Sequence, residues 1–471
     1  AGFGMQRRYS SPFFFLIFMF GEERVPYMMG LKVALCVFLC GWLMGLWLHE
    51  ARCEMSTCFF GGLAYAFSAQ VVIAGTYHYQ GELAFVAALT LYGLEKCFHK
   101  KKSGILLLAL SILLGYLSLD FYYYLIYGGA AVIYVMGRVL YLNGTWRGMS
   151  SRKKVFLLGG ATIFGVAGLL IMLPKMSSIF ASNRFQTGLA EWGVQWKQTF
   201  SANNLLTISN CVYKTIAPNI FGVANIEQEY GYPFRTVGED SGLYVGLLVL
   251  LILSLAATLR KNKKIMRASM ILLSFLGVLL CIPGIRMLIN GFSGTSFKLN
   301  RLLATIILVG IASYIWNESV GKNKEINIIP VFAFDGIVSL MILVPLMMGK
   351  NYLYPWDALC ILSFLVLYTV LLIVWNGKKN HRGILKSVLL LLFGAEVLIF
   401  NYRYVNNAEA LTKEDLSNGY YNDGSVEAVQ EIRRQESSKA FYRINKAYES
   451  LLYSDAEAQG YYGTAFYRGG A

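Results

Sequence analysis

WDALCILSFLVLYTVLLIVW (residues 356–375), then NGKKNHR (376–382), then GILKSVLLLLFGAEVLIF (383–400), is the stretch that decides the fold. Twenty apolar residues at helical rise span about 30 Å, the thickness of a bilayer's hydrocarbon core. The seven residues that follow carry two lysines, a histidine and an arginine, and the next apolar run starts at once. Span, basic turn, span is the grammar of a polytopic membrane protein, because short cytoplasmic loops retain Lys and Arg.

Working outward, the same unit repeats. Apolar runs are read at Leu31–His49, Met55–Val72, Gln80–Cys97, Gly104–Leu117, Phe121–Tyr141, Val155–Leu173, Ser241–Leu259, Ile265–Ile282, Leu299–Trp316, Ile328–Met348, Trp356–Trp375 and Gly383–Phe400. The expectation is an all-α membrane domain of about twelve transmembrane helices over residues 1–400. Phe13–Phe20 is too short to span and reads as a helix lying in the interface. Alternate connections hold twenty basic residues and four acids, Glu50, Glu54, Glu318 and Glu325. The polar stretch 174–240 balances five of each. That asymmetry puts the basic loops in the cytoplasm. The loop 174–240 and the tail 401–471 are then expected outside a cell membrane that the chain crosses many times.

Composition agrees. Of 471 residues, 56% are hydrophobic and 15% charged, with mean hydropathy +0.50. A soluble chain averages about 25% charged. The net charge of +15 is carried by short loops, so it speaks for a membrane and against nucleic acid. No Walker loop, dinucleotide fingerprint, HExxH or nucleophile elbow is present, and the eight cysteines show no metal spacing. The tail is polar, with a short amphipathic helix expected at Ser425–Arg434 and a strand at Ala440–Ile444. It reads as the start of a small extracytoplasmic α/β domain, and the chain reads as a fragment lacking parts of both ends.

Ionisable groups also occur at helix ends on the expected outer face. Glu82 follows His78 in GTYHYQGE, and Asp120 precedes Tyr122–Tyr124. Glu239 and Asp240 precede the seventh run, and Lys298 and Arg301 open the ninth. Each has a structural reading: Glu82 favoured by a helix dipole, Asp120, Glu239 and Asp240 as caps, Lys298 and Arg301 snorkelling to headgroups. Gathered at one face, they also suit an anionic, lipid-linked substrate, with a carboxylate near an acceptor hydroxyl and an arginine on phosphate. The span centres read as largely free of charge, with Asp335 the exception.

Several short segments resemble the YfhO family of bacterial membrane proteins, whose fold is similar to the GT-C glycosyltransferases. They are Ser11-Pro12-Phe13, Leu63–Ser68 (LAYAFS, containing Tyr65), Leu243–Leu248 (LYVGLL), Asn290-Gly291-Phe292 followed by Arg301, and Phe441–Ile444 (FYRI). The resemblance implies transfer of a sugar from a polyprenyl-phosphate carrier to an envelope polymer such as a teichoic acid, outside the membrane. Glu82 stands where the family tends to have an acid. Asp120 stands where asparagine is usual. Arg301, Lys298, Glu239, Asp240, Tyr65 and His78 would contact substrate, and the family's catalytic acid would lie before residue 1. A divalent metal is compatible with such chemistry, although no ligand set is visible. Two other readings stay open: a transporter or flippase for a lipid-linked sugar or small solute, centred on Asp335, and a non-catalytic scaffold.

Overall fold

The computed structural model describes residues 11–21, 24–76, 80–99, 101–118, 183–221, 242–258, 263–292, 294–295, 297–347, 353–407 and 424–435, with isolated positions between 128 and 138 and Ile444. The chain divides into two compact units, residues 1–407 and 408–471.

In the first unit, α1 (Pro12–Phe18) is capped by Ser11, whose Oγ accepts from the Phe13 amide. It packs on α2 (Val25–Glu50). Next come α3 (Met55–Ala66), a 3-10 turn at Ala74–Thr76, α4 (Gln80–Phe98) and α5 (Lys102–Ser118). Within the polar stretch lie α6 (Asn183–Lys197) and α7 (Ala202–Ile216). Then follow α8 (Leu247–Ser254), α9 (Lys263–Cys281), α10 (Pro283–Ile289), α11 (Phe297–Trp316), α12 (Ile329–Met347), α13 (Pro355–Gly377) and α14 (Arg382–Asn407). The second unit contributes α15 (Ser425–Gln435), close to the helix expected there. Of the expected strand at 440–444, only Ile444 is described.

Among the described residues, five helices are long and apolar enough to cross a membrane, and a sixth is formed if α9 and α10, bent by 103°, count as one span. They do not add up to the twelve runs of the sequence. The runs Phe121–Tyr141 and Val155–Leu173 lie almost wholly outside the described residues. Met55–Val72 is helical only to Ala66, where Ser68 Oγ turns back to the Tyr65 carbonyl at 2.7 Å. Of Ser241–Leu259, residues 242–246 are not helical, and only eight α-helical residues and a 3-10 turn at Leu255–Thr258 follow. Apolarity alone cannot reveal such breaks, because a buried turn is as hydrophobic as a buried helix.

α11 is the central post, continued by a π-helical turn at Asn317–Gly321 and buried almost throughout. Phe60 of α3 stacks on its Trp316 with centroids 4.4 Å apart. α2 and α3 touch through small residues: a Cβ on Gly41 would lie 2.9 Å from Ala66 Cβ and 3.1 Å from the Gly62 carbonyl. With Gly45 four residues on, this is the small-xxx-small contact by which helices approach in lipid. α12, α13 and α14 turn Ile337, Leu340, Leu359, Val366, Ile384 and Leu391 outward. Such exposed apolar faces fit hydrocarbon surroundings.

The ends of the bundle differ in chemistry. At one end Lys101 pairs with Glu50 at 2.7 Å, Lys324 with Glu318 at 3.0 Å, and Lys379 with Glu325 at 2.8 Å. The Lys386 ammonium and Arg382 guanidinium donate to the carbonyls of Gly321 and Asn323. These are the loops read as cytoplasmic, and they meet at one end.

Candidate functional site

Buried charges occur at both ends: Glu95, Glu318 and Arg382 at the basic end, and a second set at the opposite end. Glu82 lies in the first turn of α4, fully buried. Lys32 of α2, 3% exposed, brings Nζ within 2.9 Å of Glu82 Oε1, and Ser11 Oγ donates to Oε2 at 2.5 Å. The same ammonium sits 3.8 Å above the Phe14 ring. One carboxylate therefore joins α1, α2 and α4. Beside it, Gln70 Nε2 donates to the Gln80 carbonyl at 3.2 Å and to Gln80 Oε1 at 3.1 Å.

At the same end Asp357, fully buried in the first turn of α13, accepts from Arg403 of α14 at 2.6 Å and from Asn219 at 3.3 Å. Arg301, in the first two turns of α11, is 1% exposed. It therefore lies inside the bundle, not at the headgroup surface where a snorkelling cation would end. Tyr65 is buried, and its hydroxyl donates to the Ala84 carbonyl of α4 at 2.9 Å. Lys298 is in the first turn of the same helix as Arg301. Asp120, His78, Glu239 and Asp240 lie outside the described residues. Among the described residues, no three His, Cys, Asp or Glu side chains come together as a metal-ligand set.

A second carboxylate corrects the reading of uncharged span centres. Glu396 lies fourteen residues into α14, about 21 Å along its axis, and is fully buried. Four donors converge on it: Tyr244 Oη at 2.9 Å, Tyr368 Oη at 2.6 Å, and the amides of Leu247 at 2.5 Å and Leu248 at 3.3 Å. The amides are the orphan donors at the start of α8, so a side chain of one helix caps another. Sequence reasoning passed over Glu396 because one acid inside an eighteen-residue apolar run barely changes the hydropathy. Lys32 was missed because a cation near the start of a span reads as headgroup contact.

The family model described as bacterial membrane protein YfhO matches residues 9–468. The chain belongs to the YfhO family. No curated protein and no solved structure matches it.

Two of the segments that resemble YfhO have physical roles among the described residues. Ser11 supplies both the cap of α1 and a hydrogen bond to Glu82. In LYVGLL, Tyr244 and the amides of Leu247 and Leu248 form the receptor for Glu396. Gly246 sits at φ +106°, a conformation that L side chains rarely adopt, and a Cβ there would overlap the Phe393 ring. Gly246→Ala is therefore expected to destabilise this YfhO protein by roughly 2–3 kcal/mol, from left-handed strain plus overpacking. A thermal or denaturant midpoint in detergent that matches wild type would contradict that assignment.

Proposed function

We propose that this YfhO protein is a GT-C-like membrane glycosyltransferase, moving a sugar from a polyprenyl-phosphate donor to a cell-envelope polymer on the outer face. The observation that carries this reading is a set of buried ionisable groups, Lys32, Glu82, Arg301 and Asp357, the last paired with the partly buried Arg403, at the end of the bundle away from the basic loops. Charge is expensive near hydrocarbon and is kept there when it is paired or used. With the basic loops in the cytoplasm, that end faces outward, as does the tail.

In the transfer, an acceptor hydroxyl attacks the anomeric carbon and the carbon–oxygen bond to the lipid phosphate breaks. The hydroxyl proton passes to a base, and polyprenyl phosphate leaves. Arg301 is assigned to the leaving phosphate, for which a guanidinium offers paired donors. Glu82, held by Lys32 and Ser11, is assigned to orienting sugar or acceptor, with Asp120.

The test is glycan analysis of envelope polymers in a strain lacking the gene, complemented with wild type or Arg301→Gln. Deletion should abolish the modification, and the variant should cut it about a hundredfold, the scale for losing one charge-stabilising donor. Unchanged glycosylation in the deletion strain would remove the reading. A transport function rests on Asp335, but that carboxylate accepts a hydrogen bond from Thr369 of the next helix, which accounts for it as a tie between α12 and α13.

A further inference from the structure

α7 buries three polar side chains beside Cys211 and Ile216, and exposes three large apolar ones beside Asn203 and Ser209. Its buried side chains include Asn204, Asn210 and Lys214. Its exposed side chains include Leu205, Leu206 and Val212, at 53, 45 and 42% exposure. A helix on the surface of a water-soluble structure does the reverse, turning its apolar stripe inward. The polar face is held by the bundle. Asn204 Nδ2 donates to the carbonyls of Thr199 at 2.8 Å and Cys281 at 2.9 Å, and its Oδ1 accepts from Arg286 Nη2 at 2.7 Å.

The depth of α7 follows from a proline. Pro345 lies inside α12 and has no N–H, so the Met341 carbonyl, four residues earlier, loses its helical donor. Within a bilayer such a carbonyl needs another partner, since water is absent. Tyr213 of α7 provides it: its hydroxyl donates to Met341 O at 2.9 Å. Met341 lies six residues inside the end of α12, about 9 Å along the helix. At that level α12 exposes Leu340, Leu343 and Val344. The outward row of α7 thus continues a surface that already belongs to lipid. Phe200, 87% exposed in the turn before α7, and Val194 and Trp196 on α6 are exposed apolar side chains of the same stretch.

We propose that α7 is embedded in the bilayer, with Leu205, Leu206 and Val212 against acyl chains and its polar face against the bundle. The segment read as an aqueous loop then contains a membrane-inserted helix, docked by Tyr213 where Pro345 opens α12.

The test uses the wild-type full chain in phosphatidylcholine–phosphatidylglycerol vesicles containing a phosphatidylcholine with a diazirine in its acyl chain. After irradiation, carbene insertion is mapped by mass spectrometry. Insertion into residues 205–212 should match that into residues 332–347 of α12 and exceed that into Ser425–Gln435 by about tenfold or more, as for any lipid-facing helix. Insertion no higher than in Ser425–Gln435 would overturn the proposal. So would protection of 205–212 together with intermolecular crosslinking of a Leu206→Cys variant, which would give that face to a second copy of the chain.

Discussion

Glu396→Ala is expected to lower the stability of the detergent-solubilised protein by about 4 kcal/mol, taking around 1 kcal/mol for each of four interhelical hydrogen bonds. The two oxygens receive Tyr244, Tyr368, Leu247 and Leu248, so α8, α13 and α14 share one acceptor. Alanine leaves two amides at a helix start and two phenols without it, in surroundings that water does not reach. Glu396→Gln should cost less, about 2 kcal/mol, because one oxygen remains. Its NH₂ group then faces two donors; a tyrosine hydroxyl can rotate to accept, whereas an amide cannot. The decisive measurement is the pair of denaturant midpoints. A full loss for Glu396→Ala beside no loss for Glu396→Gln, which keeps the volume but only one oxygen, would show that the side chain matters for its volume and not as a double acceptor.

Much of the fold was readable because its signal is additive. A mostly apolar run of twenty residues with a single charge, as at 356–375, outweighs any one exception, and the basic loops found at one end of the bundle were grouped from charge alone. What escaped was carried by single residues. Gly246 ends a non-helical segment and caps α8, but in LYVGLL it sits among apolar neighbours that look continuous. Pro345 carries no local sign that the carbonyl it leaves free meets Tyr213, over a hundred residues away. Of the proposed site, Glu82 was legible because an acid after an aromatic turn stands out, and Arg301 because it opens an apolar run. Their surroundings were not legible. Lys32 and Ser11 reach Glu82 only through tertiary packing, and no local pattern records which of several helices a long side chain will meet.

Glu396 and Glu82 solve the same problem differently. Glu396 sits deep along α14, where its four partners are hydroxyls and amides and no ion is needed among them. Glu82 sits at a helix start and takes a lysine. An ion pair is a poor route to stability when buried, because both charges lose hydration, and an apolar pair of similar volume often serves as well. A membrane protein that places one beneath the proposed substrate-binding end therefore invites a role beyond packing, and that role can be separated from stability.

Lys32→Met alone is expected to destabilise the protein by roughly 3–5 kcal/mol, the usual cost of leaving a buried charge without its counter-ion. The Glu82 carboxylate keeps Ser11 as a donor but loses the ammonium at 2.9 Å. Glu82→Gln alone should cost a similar amount, since Lys32 then keeps the Phe14 ring but not the carboxylate. The double variant Lys32→Met with Glu82→Gln removes both charges together and should recover most of the loss, because a neutral amide can still accept from Ser11 and the methionine fills the lysine's channel. Denaturant midpoints of the four proteins close this cycle, and additivity of the two single losses would deny the pairing. Sugar transfer in the same four proteins then decides what Glu82 does. If it orients sugar or acceptor, the double variant folds like wild type yet transfers no better than Glu82→Gln. Transfer that returns along with stability would make the pair a strut between α2 and α4 and would move the search for the reacting carboxylate elsewhere.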